Sequence, residues 1–65
     1  MKITLNGTTQ ETGAETLAAL LDEMGYTNAR VATAVNEEFV PAPSREAHRL
    51  ADGDRIEIVT PRQGG

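Results

Sequence analysis

Asp52-Gly53-Asp54-Arg55-Ile56-Glu57-Ile58-Val59-Thr60 is the stretch that decides the fold. Asp-Gly-Asp is a turn signal, because short acidic side chains bond their own backbone and glycine accepts positive φ at no steric cost. The six residues after it alternate. Ile56 and Ile58 point one way and Arg55, Glu57 and Val59 the other, the period of a strand with one buried face. Only one other segment alternates as strongly: Lys2-Ile3-Thr4-Leu5-Asn6, at the opposite end of the chain. The two are therefore expected side by side at the centre of one sheet.

Outward from that pair, Asn6-Gly7 takes the left-handed angles of a tight hairpin turn. It predicts a returning strand over Thr8–Thr12, whose weak apolar content suits a sheet edge. Leu17, Leu20, Leu21 and Met24 recur at helical spacing and share one stripe. Thr16 is the expected N-cap and Gly25 the expected stop. Arg30–Asn36 alternates again, with Val31, Thr33 and Val35 on one face and Ala32 and Ala34 on the other. Asn36-Glu37-Glu38 turns the chain, and Phe39-Val40 resumes an extended run that Pro41 and Pro43 end. Ser44–Leu50 fits a single helical turn or a loop. One amphipathic helix must then cover one mixed sheet of four or five strands, an α+β roll. Residues 1–60 form the domain, and 61–65 are expected to be a flexible tail.

Composition removes whole classes of function. Six Lys+Arg against ten Asp+Glu leave a net charge of −4, and phosphate binding needs the basic cluster that is missing here. No apolar run approaches the ~20 residues of a membrane span, and no signal segment is seen, so no membrane contact and a cytoplasmic location are expected. The chain has no cysteine and a single histidine, His48. Disulfides, thiol catalysis and a multi-histidine metal site are excluded. Sixty-five residues leave little room for a pocket, and no side chain is a credible nucleophile or general base. The chain is expected not to be an enzyme.

The chemistry is expected at the tail, Pro61-Arg62-Gln63-Gly64-Gly65. Paired glycines bury nothing and cost the most entropy to order, so no folding argument accounts for them. Without side chains, such a tail can thread a narrow channel and present the Gly65 carboxylate to a partner's active site. A carboxylate is a poor electrophile. The partner would first activate it, as an acyl-adenylate made from ATP, and a sulfur, amine or thiol nucleophile would then displace AMP. The absence of cysteine suits the sulfur outcome.

Asp52-Gly53-Asp54 leading into Ile56-Glu57-Ile58-Val59, the hairpin–helix–strand–strand order and the terminal Gly64-Gly65 resemble the ubiquitin-like β-grasp sulfur carriers. Val35-Asn36-Glu37-Glu38-Phe39-Val40-Pro41 and Thr16-Leu17 with Leu20-Leu21 are similar to the ThiS group among them, which supplies sulfur for the thiazole ring of thiamine. The resemblance spans the whole chain. It implies that a ThiF-type enzyme adenylates Gly65 using Mg-ATP and that a cysteine desulfurase relay converts it to a thiocarboxylate. A ThiG-type thiazole synthase would take the sulfur. No bound cofactor is implied, and the free chain would be a monomer. Gly64 and Gln63 would give the tail access, while Ala32, Ala34, Val59, Pro61 and Arg62 would dock the partner. Ala32, Ala34 and Val59 also read as ordinary solvent-facing strand residues. Many members are more apolar where this chain has Pro61-Arg62-Gln63, a departure that bears on partner choice.

The same fold could serve another client, such as molybdopterin, cysteine or tRNA thiolation. A ubiquitin-like protein modifier is a third reading, although Lys2 is the only lysine and leaves no central site for polymer chains. Asp52 and Asp54 read as turn formers rather than cation ligands. Glu37-Glu38 reads as a solvated turn, His48 as a surface residue and Tyr26 as packing over the core edge.

Overall fold

The strand over Arg55–Val59 is the centre of a five-stranded sheet in the computed structural model, which describes residues 1–26 and 30–60. In chain order the elements are β1 (Lys2–Leu5), β2 (Thr8–Glu11), α1 (Leu17–Glu23), β3 (Ala32–Val35), β4 (Glu38–Val40) and β5 (Arg55–Val59). A 3-10 turn over Ala42–Ser44 precedes β5. The strand order is β2-β1-β5-β3-β4. The first and last strands are parallel neighbours, with Thr4 opposite Arg55 and Leu5 opposite Ile56. β3 runs antiparallel on the other side of β5, pairing Ala32 with Val59 and Ala34 with Glu57.

The short loops follow from their residues. Asn6 and Gly7 both hold positive φ, at 50° and 86°, which matches the strand twist of a two-residue hairpin. The β3–β4 turn is tighter than the sequence suggested. It is made by Asn36 and Glu37 alone, with φ of 51° and 72°, and Glu38 already belongs to β4. A glutamate there costs about 1 kcal/mol against glycine, because its Cβ crowds the carbonyl. Its ion pair with Arg55, at 3.5 Å between largely exposed side chains, returns only part of that. Glu37→Gly is therefore expected to raise the thermal midpoint by about 4 °C. A calorimetric scan showing a lower midpoint would refute that reading.

Helix α1 is shorter than its stripe implied, spanning Leu17–Glu23, and its ends are fully provided for. The Thr16 hydroxyl accepts from the Ala19 N–H at 3.1 Å. The Leu17 and Ala18 N–H groups donate to the His48 and Arg45 carbonyls. The 44–50 segment thus takes its shape from the helix start rather than from its own periodicity. At the other end Gly25, with φ of 88°, lets Tyr26 N–H reach back to the Leu21 carbonyl and Gly25 N–H to that of Asp22. This double closure satisfies carbonyls that a helix otherwise leaves open.

Leu17 and Leu20 lie on the sheet with Ile3 and Ile56, all four fully buried. Ala14, Leu21, Val35, Val40, Leu50 and Ile58 complete the core. Two polar residues are also buried, Thr12 and, most completely, Thr33. Its hydroxyl donates to the Val40 carbonyl at 2.7 Å and accepts from Arg45 Nε at 3.1 Å, while Arg45 Nη2 donates to the Val31 carbonyl at 2.6 Å. Arg45 thereby pins the connection after β4 to the start of β3. That strand begins at Ala32 rather than Arg30, and Val31 is occupied by the arginine instead of a strand neighbour.

Candidate functional site

The last described residues, Val59 and Thr60, are where the sheet hands the chain on to residues 61–65. Their position is fixed from two sides. On one, Ala32 of β3 pairs with Val59. On the other, β1 has already ended at Leu5, and the Asn6 side chain takes its place. The Asn6 Nδ2 donates to the Ile58 carbonyl at 3.2 Å and its Oδ1 accepts the Ile58 N–H at 2.9 Å. One side-chain amide thus supplies both ladder bonds that a further strand residue would have made.

The opposite end of β5 is anchored as firmly. Asp52 Oδ1 accepts the Lys2 N–H at 2.7 Å. The Asp54 carboxylate accepts the Ala51 N–H at 2.8 Å and Asn36 Nδ2 at 3.0 Å. Both aspartates act as turn formers, as expected. Among the described residues no group of three or more His, Asp or Glu side chains is placed to hold a metal ion.

Cross-strand partners share a face. Val59 and Ala32 therefore lie together on the side of the sheet away from α1, with Ala34 beside them. Sequence reasoning named these residues and missed Phe39. That side chain is opposite Ala34 on the same outer face and 68% exposed, and Val59 is 59% exposed. The signal was present: alternation across Glu38-Phe39-Val40 with Val40 turned inward sends Phe39 out. Exposed large apolar side chains grouped on one surface mark contact sites more often than scattered ones do. Pro61, Arg62, Gln63, Gly64 and Gly65, the remaining expected site residues, lie outside the described residues. A shallow cleft of about 360 Å³ lies on the helix side, lined by Leu21, Asp22, Tyr26, Pro43 and Arg45 among others, and no residue of the outer sheet face contributes to it.

A sequence model described as the ThiS family matches residues 3–65, nearly the whole chain and both terminal glycines. The chain belongs to the ThiS family. Its fold is the family's ubiquitin-like β-grasp. The crystal structure of the thiamine biosynthesis protein ThiS from Geobacter metallireducens superposes with a TM-score of 0.83, at 29% identity and full coverage of both chains. Sulfur carrier protein ThiS of Thermus thermophilus is 38% identical over 61 residues, 94% of this chain and 95% of that protein. A thiazole synthase of Paramagnetospirillum magneticum is 39% identical over 66 residues. That match takes in all of this chain but only 20% of the relative, so the chain spans a fifth of that protein's length. A ThiS chain is a sulfur carrier of thiamine biosynthesis and not itself a catalyst.

Proposed function

We propose that the Gly65 carboxyl is the group that carries sulfur. In this reading a ThiF-type enzyme binds the outer sheet face and draws Gln63-Gly64-Gly65 into its channel. It then attacks the α-phosphate of Mg-ATP with the Gly65 carboxylate, releasing pyrophosphate. The terminal sulfur of a persulfide formed by a cysteine desulfurase displaces AMP, and a second thiol then cleaves the S–S bond, leaving as a disulfide and freeing the thiocarboxylate. A thiazole synthase accepts that sulfur, in the cytoplasm where ATP is at hand. ATP and magnesium belong to the enzyme; the carrier itself contributes a reactive carbon, a side-chain-free approach and a docking face.

The observation that carries this reading is the family match running unbroken through Gly64 and Gly65. The thiazole client is supported by the names of two relatives, a sulfur carrier and a thiazole synthase. The geometry is compatible, since the outward apolar residues Val59 and Ala32 stand immediately before the segment to be threaded. A partner gripping them holds the chain at the root of the tail, and a short tether of that kind raises the local concentration of the reacting group.

The test is intact mass after incubation with a ThiF-type enzyme, Mg-ATP and a desulfurase with cysteine. The expected result is a gain equal to one sulfur replacing one oxygen, located on Gly65 by fragmentation. An unchanged mass beside a converting control carrier would overturn the reading.

A further inference from the structure

Several carboxylates of the described residues are engaged by the fold. Asp52 and Asp54 hold turns, Glu15 and Glu37 meet Arg49 and Arg55, and Glu23 accepts from Thr12. Glu57 makes no such contact with any described residue, yet it occupies the middle of the central strand. Glutamate is a poor strand residue, and here it contributes nothing to the core. Its surroundings are unusual for a solvated charge. Val59 follows it on the same face and Ala34 lies directly opposite, with Phe39 one strand further on. Arg55, two residues before it, is the nearest cation along the strand and is already paired with Glu37 at 3.5 Å.

We propose that Glu57 is the charge-recognition residue of the outer sheet face: a partner that covers Val59, Ala34 and Phe39 must set an arginine against the Glu57 carboxylate. The inference rests on the carrier reading and adds to it the chemistry of the partner's surface. Covering Val59 strips water from the adjacent carboxylate, and a carboxylate buried without a counter-charge is strongly unfavourable. A guanidinium answers that requirement best, because its planar fork donates two hydrogen bonds to one carboxylate and its flat faces pack on apolar neighbours. The same charge excludes acidic or purely apolar surfaces that would otherwise accept Phe39 and Val59, so it selects among partners. The net charge of −4 draws a basic surface toward the whole chain and leaves Glu57 to set register on arrival.

The experiment is ATP–pyrophosphate exchange by the ThiF-type enzyme, with the full chain as the varied substrate. Glu57→Gln is expected to raise KM by about 10-fold or more with kcat little changed, and Glu57→Arg by a larger factor. Both variants should keep the wild-type far-UV spectrum and thermal midpoint, since the side chain is exposed and unpaired among the described residues. Glu11→Gln, on the same face at the β2 edge, is expected to leave KM unchanged. The KM advantage of wild type over Glu57→Gln should shrink at high salt. If Glu57→Gln matches wild type, the proposal is overturned while the carrier reading stands. If Arg55→Gln raises KM as much as Glu57→Gln, the counter-charge comes from this chain, and the proposal is likewise overturned. A wild-type chain that supports no exchange at all overturns the carrier reading and the docking contact together.

Discussion

Deleting Gly65 is expected to abolish sulfur loading while leaving the fold untouched. The deletion moves the terminal carboxyl back by about 3.5 Å, whereas a misplacement of about 1 Å at a reacting centre can already cost 10²-fold. Loss of more than about 10³-fold in kcat/KM for adenylation follows. Gly64→Val retains the carboxyl's distance from the sheet but adds a branched side chain one residue from it, and is expected to cost about 10²-fold. Every core residue among the described residues lies between Ile3 and Ile58, so both variants should melt at the wild-type temperature. Exchange kinetics beside a thermal scan separate the two effects. Wild-type loading of the deletion variant would mean that the reactive carboxyl is not at Gly65.

Leu20→Ala is expected to leave the chain largely unfolded at 37 °C. Leu20 is 0% exposed and packs in the core with Ile3, Leu17 and Ile56. Removing a fully buried leucine side chain costs about 2–5 kcal/mol through lost transfer energy and the cavity left behind. Alanine is the better helix former, so no propensity loss adds to this. A domain of this size has only a few kcal/mol to lose. Chemical denaturation followed by circular dichroism would show the loss, and an unfolding free energy within about 0.5 kcal/mol of wild type would contradict the packing described above. Leu50→Ala, at the 8% exposed margin of the same core, should cost less.

The elements legible in the sequence were those whose cause is local. Asn6-Gly7, Thr16, Gly25 and the alternation of Ile56 with Ile58 each act within a few residues, and each stands where expected. The central pairing of β1 with β5 was legible too, because the two strongest alternations have only each other's company to seek. Residues 44–50 were not, since their backbone is held by N–H groups of α1 and by the Thr16–Arg49 bridge. No window of sequence contains both partners. The β3–β4 turn was drawn one residue too long because Glu37 adopts an angle that glutamate rarely takes. Of the expected site, the terminal glycines were conspicuous because no folding argument accounts for them, and the outward placement of Ala32, Ala34 and Val59 followed from strand period, while their docking role came only from the family resemblance. Phe39 escaped because a three-residue strand gives it a single outward position, a signal that reads clearly only once Val40 is seen to turn inward.

The adjacency of β1 and β5 also sets when the molecule comes into being. The bond from Lys2 N–H to Asp52 spans fifty residues, and closing a loop of that length costs about 3 kcal/mol of chain entropy before any contact returns it. A growing polypeptide emerges N-terminus first, so Ile3 and Leu5 wait for β5 to emerge before the strand that shields them is in place. The hairpin of β1 and β2 is marginal alone, and α1 has half a sheet to cover until Ile56 and Ile58 arrive. The residues that complete the sheet are the ones translated just before Gly64 and Gly65. A chain stalled before β5 therefore lacks the finished domain, and under the carrier reading proposed above a partner that recognises the assembled sheet would spend no ATP on it.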